Sequence, residues 1–263
     1  MRRVGAQQSD EDSDLVAVEE PLEIRLGEQS LSITMRTPGD DLNLATGFLF
    51  TEGIISDMAQ IDSVDHGTDE NTEEANENVV VVDLADGVSI DMERLQRNFY
   101  TTSSCGVCGK SSIEALTAQA HYEVKGDTLC MQPDVLSGLP DALMRHQQTF
   151  FDTGGLHAAG LFDGGGKFLD VREDVGRHNA VDKLIGHALR QDQLPLWDMG
   201  ILVSGRVSFE IMQKVRMAGC PFVAAVGAPS SMAVDMAWEF GMTLVGFLRD
   251  GRFNVYATPA RVA

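Results

Sequence analysis

Apolar and polar residues alternate at Leu22, Ile24 and Leu26, and again at Leu31, Ile33 and Met35. A period of two places alternate side chains on one face of a strand, so the pattern predicts a hairpin with its turn at Gly27–Ser30. Next, DDLNLATGFLFTEGII reads as a helix, with Asp40 or Asp41 as N-cap and Gly53 near its end. VVVVDL at 79–84 predicts a strand, and SIDMERLQRNFY at 89–100 another strand or a short helix. In the second half, DVLSGLPDALMRHQQTF predicts a helix starting after Pro140, and LHAAGLFD and KFLDVRED form a hairpin around Gly164–Gly166. VGRHNAVDKLIGHALR has the period of an amphipathic helix, with Val181, Leu184, Ile185 and Ala188 in one stripe.

From there the pattern switches repeatedly. MGILVSG predicts a short buried strand, and VSFEIMQKVRMAG a helix with Val207, Ile211 and Val215 on one face and Gly219 at its end. PFVAAVG predicts a strand, SSMAVDMAWEFG a helix with a Ser N-cap and Gly241 as stop, and MTLVGFLRDGRFNVY two strands around an Asp250-Gly251 turn. Alternating strands and helices imply crossovers and a partly parallel, covered sheet. The expected fold class is therefore α/β. Residues 131–263 form a three-layer α/β/α domain, 21–130 a smaller β-rich α+β region, and 1–20 a disordered acidic tail. Ligands of such sheets bind at the strand carboxyl ends. Those ends carry Ser204-Gly205-Arg206, Gly227–Ser231 and the Arg249–Arg252 turn.

Charge removes some functions. With 40 acidic and 20 basic residues the formal net charge is −20, which argues against nonspecific binding to nucleic acid or to an anionic membrane. The same surplus suits hydration in a salty cytoplasm. Six carboxylates and no Lys or Arg lie between Asp65 and Glu77, predicting an exposed loop or hairpin tip. No run of about 18 apolar residues predicts a membrane span. The N-terminus has two arginines but no apolar stretch behind them, unlike a secretory signal, and the expected location is the cytoplasm.

Four cysteines in a chain of 263 residues are no disulfide framework. Cys130 and Cys220 stand apart and are expected to be structural. Cys105 and Cys108 form a CxxC pair between small polar flanks, on a segment (100–112) expected to be a mobile loop. A structural zinc needs about four ligands, and this chain offers one pair. A zinc deaminase needs H-x-E followed by P-C-x-x-C. Here His157 precedes Ala159 instead of a glutamate, Ser104 replaces the proline, and the CxxC comes first. What remains is an accessible thiolate, against a dithiol redox pair or idle thiols. Lys110 and a helix start near Ser111 or Ser112 would lower a thiol pKa. Gly106 and Gly109 leave room for a bulky partner.

Five segments together, TTSSCGVCGKSSIEAL, GGLHAAGLFD, VREDVGRHNAVDKLIG, SGRVSFEIMQKVRMAG and TLVGFLRDGRFNVY, resemble the formate dehydrogenase accessory sulfurtransferase family, FdhD or NarQ. The resemblance spans about Leu22 to Tyr256. It implies a sulfur carrier that receives sulfur from a cysteine desulfurase as a persulfide. The carrier passes it to the molybdenum cofactor, bis-molybdopterin guanine dinucleotide, before insertion into formate dehydrogenase. It implies a C-terminal domain like the cytidine deaminase fold, and a homodimer. The family's persulfide position falls on Cys105 and its second cysteine on Cys108. Its cofactor-binding stretch falls on Phe247, Leu248, Arg249, Asp250, Gly251 and Arg252, and a guanine nucleotide such as GDP is an expected mimic. Two arginines flanking a turn suit pyrophosphate oxygens, though a plain hairpin with exposed arginines would look the same. Ser204, Gly205 and Arg206 are a candidate phosphate or guanine site, or a simple strand–helix turn. Arg177, His178, Asn179, Asp182 and Lys183 are expected on the polar face of their helix, with His178 and Asp182 able to bond. That face would bind cofactor or be merely solvated. His157 is read as structural. Two rival functions stay open: a cofactor-binding chaperone without sulfur transfer, and a CxxC thiol oxidoreductase.

Overall fold

The computed structural model describes residues 2–4, 9–11, 13–69, 74–88, 90, 122–124 and 128–263. Within the expected tail, β1 (Arg2–Val4) pairs antiparallel with β2 (Ser9–Glu11). The first alternating pattern is the predicted hairpin, β3 (Glu20–Leu26) and β4 (Gln29–Arg36), closed by Gly27 in the left-handed region. α1 (Asp41–Thr51) begins after Asp40 and stops before Gly53, whose φ of 70° ends the turn. β5 (Ile61–Thr68) and β6 (Ala75–Leu84) are antiparallel, and the described part of the acidic stretch lies on their facing ends, where the Asp69 N–H donates to the Glu74 carbonyl; 70–73 lie outside the described residues. β6 also runs parallel to β3, giving a four-stranded sheet in the order β4-β3-β6-β5.

The helix expected after Pro140 instead starts earlier and runs through the proline. α2 spans Pro133–Met144 with Pro140 inside it. Pro133 sits where an N–H would have had no helical acceptor anyway. An interior proline costs about 3 kcal/mol. Leu136, Leu139 and Leu143, all at 1% exposure or less, recover about 2 kcal/mol each by burial. The apolar face wins. α3 (Gln148–Thr153) follows, and then β7 (His157–Phe162) and β8 (Phe168–Asp174), the predicted hairpin.

The remaining elements alternate as expected: α4 (Arg177–Arg190), β9 (Gly200–Val203), α5 (Phe209–Met217), β10 (Phe222–Ala225), α6 (Ser231–Glu239), β11 (Thr243–Arg249) and β12 (Arg252–Ala257). The six-stranded sheet is ordered β12-β11-β10-β9-β7-β8, with β9, β10 and β11 parallel and the outer strands antiparallel. Ile201, Val203, Val223, Ala225 and Leu244 face one core with residues of α4, α5 and α6. Leu202, Phe222, Ala224 and Val245 face the other with α2. The fold is mixed α/β, in three layers.

The first core also takes in Leu22, Ile24, Val80 and Val82 of the N-terminal sheet, so the two regions share one interior. Their seam is the crossing of α1 and α4. A Cβ on Gly47 would stand 1.9 Å from the Asp182 carbonyl oxygen, and one on Gly186 would stand 1.9 Å from that of Asn43. The backbones touch, and only glycine permits it. Buried ion pairs flank the crossing: Lys183 Nζ reaches Asp174 and the Thr37 carbonyl, each at 2.8 Å, and Lys214 Nζ reaches Asp182 and Glu52, each at 2.9 Å.

Candidate functional site

Loops leave the carboxyl ends of β9 and β10, and hydrogen bonds lace them to each other and to Phe247 within β11. The Gly227 N–H donates to the Gly205 carbonyl at 3.0 Å, and the Phe247 N–H to the Gly227 carbonyl at 3.0 Å. Val207 donates to Ala228 and Ser230 donates back to Val207. A Cβ on Gly227 would lie 2.7 Å from the Gly205 oxygen, so the lacing needs glycine there. Ser204, Gly205 and Arg206 thus meet Gly227 and Phe247 along one edge. The Ser204 hydroxyl accepts from the Ala158 N–H at 2.9 Å and ties this loop to β7.

The β11–β12 turn is a two-residue reversal between the paired Arg249 and Arg252. Asp250 and Gly251 have φ of 53° and 69°. Phe247 is also left-handed, at 53°, where the register of β11 slips between Gly246 and Arg249. A bulky residue there carries backbone strain, and such strain gathers at binding sites. The Arg249 guanidinium lies 5.8 Å from the centre of the Phe247 ring. Arg249, Asp250, Gly251 and Arg252 are exposed, and Phe247 is half-buried. Leu248 is fully buried in the α2 core, so it packs there and offers a ligand no side-chain surface.

His157 and Arg177 meet beside Gly205, and His178, the next residue on α4, lies against Ser208. A Cβ on Gly205 would meet His157 Nδ1 at 3.3 Å and Arg177 Cδ at 3.9 Å. Burial, and then the Arg177 charge, push His157 below its ordinary range. The same two causes, with Lys214 behind them, push His178 down to about 4. His178 Nε2 lies 3.3 Å from Ser208 Oγ. Burial would raise the Glu210 carboxyl, but bonds from Ser208 and its own N–H, with the charge of Arg177, hold it low.

The polar face of α4 is mostly neither solvated nor open to a ligand. Asn179, Asp182 and Lys183 are buried. Asp182 accepts from Thr51 at 2.7 Å and pairs with Lys214, instead of bonding His178. Asn179 donates to the Met35 carbonyl and to Asp174. Only Arg177 and His178, on the first turn, remain at the strand-end loops. The position of His157, opening a strand beside a glycine turn, was the available hint to its place in the site.

Cys105, Cys108 and Lys110 lie outside the described residues. Of the residues described next, Tyr122 packs against Phe50 and Gly219, takes a bond from Arg216, and precedes Glu123, whose carbonyl accepts from Trp197 Nε1 at 3.1 Å. That is the C-terminal end of α5, whereas Gly205 and Ser208 are at its other end. Cys130 is exposed, and burial pushes the Cys220 thiol up to about 12. Among the described residues no cluster of His, Cys, Asp or Glu is placed to hold a metal, and no helix is long and apolar enough to cross a membrane.

The chain is a three-layer mixed α/β protein with laced loops at the carboxyl ends of its parallel strands, and its sequence carries a CxxC pair. A solved chain described as a formate dehydrogenase accessory protein, from Desulfotalea psychrophila, has the same fold: TM-score 0.76 at 23% identity, over 100% of this chain and 97% of that one. The sequence profile of the FdhD/NarQ family matches residues 17–263, and the chain belongs to that family. Relatives named sulfur carrier protein FdhD include one from Streptomyces coelicolor, 53% identical over 95% of this chain and 89% of its own length. One from Mycobacterium tuberculosis is 47% identical over 100% and 96%, and one from Picrophilus torridus 42% over 95% and 92%.

Proposed function

We propose that this protein is a sulfur carrier serving formate dehydrogenase. Sulfur would arrive from a cysteine desulfurase, rest on Cys105 as a persulfide, and pass to bis-molybdopterin guanine dinucleotide. The observation that carries this reading is the match along nearly the whole chain to relatives named as sulfur carriers. In the loading step the Cys105 thiolate attacks the outer sulfur of the desulfurase persulfide. One S–S bond forms, one breaks, and the desulfurase thiolate leaves, with no net oxidation. For delivery, the Cys108 thiolate attacks the inner sulfur and releases hydrosulfide. It supplies the two electrons, and a cellular dithiol then reduces the Cys105–Cys108 disulfide.

The laced loops at Ser204–Arg206, Gly227 and Phe247, with the arginines of the Arg249–Arg252 turn, support a site for the anionic cofactor, and GDP is its simplest probe. His178 joins them from α4. The reading expects a cytoplasmic homodimer.

Intact mass after incubation with cysteine and a desulfurase tests the relay. The expected gain is one sulfur atom, removed by reductant and lost in Cys105→Ala. Full formate dehydrogenase activity in a null strain carrying Cys105→Ala would end this reading in favour of a cofactor chaperone. General dithiol–disulfide exchange activity without sulfur gain would favour an oxidoreductase.

A further inference from the structure

Exposed apolar side chains gather where the segment 13–19 crosses the end of α3. Phe151 and Val16 are 81% and 80% exposed, more than any other large apolar residue among those described. Leu15 and Val18 are exposed beside Val16. The two stretches meet at Ala17, whose Cβ lies 3.1 Å from the point where a Cβ on Gly155 would stand. Ala17 is half-buried there, while Val16 and Val18 on either side of it face water. Phe151 precedes the crossing by about one helical turn. A single exposed apolar residue is ordinary, but four gathered around one crossing mark a contact surface.

The patch is held in place. Glu173 of β8 accepts from the N–H groups of Thr149 at 3.1 Å and Phe150 at 2.9 Å, which fixes the first turn of α3 to the sheet. Phe150 takes the half-buried position and leaves Phe151 in water. The Gly155 N–H donates to Thr153 Oγ1 at 3.3 Å beyond the helix end. An aromatic side chain on a backbone already fixed loses little freedom on binding, which suits Phe151 as an anchor.

Two features identify what covers it. The first is place. Gly155 lies two residues before His157, whose ring lies against Gly205 at the laced loops. The patch therefore shares the molecular edge of the candidate cofactor site. Tyr122, the first described residue after the CxxC pair, lies instead at the C-terminal end of α5. A partner seated on the patch stands beside the cofactor loops, where the protein that receives the cofactor must come. The second feature is charge. Residues 13–20 and 147–156 contain Asp14, Glu19, Glu20 and Asp152 and no Lys or Arg, in a chain of net charge −20. Asp14, Glu19 and Asp152 are exposed. A complementary surface carries an apolar pocket with a basic rim.

We propose that the patch around Phe151 and Val16 docks cofactor-free formate dehydrogenase, on a face with a pocket for an aromatic ring and Lys or Arg around it. This rests on the sulfur-carrier reading above and adds to it the surface that meets the recipient. Phe151 is the anchor, Leu15, Val16 and Val18 widen the apolar contact, and the carboxylates steer the approach.

The test is binding of the full chain to formate dehydrogenase purified from cells that lack the cofactor. Phe151→Ser should weaken binding by about 10- to 100-fold and Val16→Ser by about 3- to 10-fold, as for a central aromatic anchor and a smaller neighbour. Asp14→Lys combined with Asp152→Lys should slow association and flatten its dependence on salt. These side chains stand in water, so melting temperature, GDP binding and sulfur gain from a desulfurase should match the wild type. α6 starts beside the laced loops, where the Ser230 N–H donates to Val207, and Trp238 is exposed near its other end. Trp238→Ser should therefore leave dehydrogenase binding unchanged. Binding of both Phe151→Ser and Val16→Ser within twofold of a wild type that itself binds would overturn the docking surface and leave the sulfur-carrier reading standing. Slower sulfur loading with dehydrogenase binding intact would assign the patch to the desulfurase instead, and a lower mass by light scattering would assign it to a second copy of this chain. Either result overturns the proposal. If the wild type binds no formate dehydrogenase, the reading of the recipient and the docking surface fall together.

Discussion

His178 carries a pH dependence whose sign its surroundings decide. Arg177 and Lys214 face it with positive charge and Glu210 and Glu52 with negative charge, but burial is the largest influence and favours the neutral ring. The native pKa is about 4 against an ordinary 6.5. Between those values the unfolded chain binds a proton that the native protein refuses, so the His178 contribution to stability is full above pH 6.5 and shrinks as pH falls towards 4. With partial solvent screening this amounts to about 1–2 kcal/mol. Urea midpoints at pH 7 and pH 4.5 should therefore differ less in His178→Gln than in wild type. Equal differences would show that the ring is charged in the native state. At this scale the sequence was readable where chemistry is local. The Asp250-Gly251 pair foretold its reversal. Asn179, Asp182 and Lys183 were not readable, because partners such as Thr51 and Lys214 lie far along the chain and nothing local reveals them.

Elements were legible wherever one period held for several residues. β3, β4, β7 and every strand and helix after Gly176 fall close to their expected places. α2 failed because proline was read as a boundary, while the leucines at 136, 139 and 143 were already enough to carry the helix through it. The same helix provides a control for the α1–α4 crossing. Gly138 lies in α2 with nothing within 4 Å of the point where a methyl would stand, so Gly138→Ala should stabilise by about 0.5–1 kcal/mol through helix propensity alone. Gly186→Ala would drive a methyl to 1.9 Å from a backbone oxygen that cannot move without shifting α1, and should cost about 3 kcal/mol or more. Both are read from denaturant midpoints. A harmless Gly186→Ala would mean that α1 and α4 are not in backbone contact. Lys214→Met is expected to cost about 3–5 kcal/mol, since it leaves Asp182 buried without its cation and Glu52 unpaired. If its midpoint stays at the wild-type value, this pair does not hold α5 to α1 and α4.

For the whole molecule, the sequence showed two regions but not the interior they share, since a boundary drawn from changing periodicity says nothing about what packs across it. Net charge acts at this largest scale. The surplus of 20 negative charges repels itself in the compact state. The buried pairs around Lys183, Lys214 and Arg36 are shielded from salt by the protein, whereas the exposed carboxylates are not. Screening extends over about 10 Å at 0.1 M salt and about 3 Å at 1 M. Added potassium chloride should therefore weaken the surface repulsion while leaving the internal pairs intact, and the thermal midpoint should climb steadily from low to molar salt. A neutral osmolyte raises stability by exclusion from the surface and makes a poor imitation of this effect, because its benefit does not depend on charge. Neutralising several exposed acids, such as Asp62, Asp65 and Glu77, should flatten the salt response and leave the osmolyte response alone. A midpoint indifferent to potassium chloride would mean that the acidic surface does not load the fold, and that its carboxylates act on solubility or on partners instead.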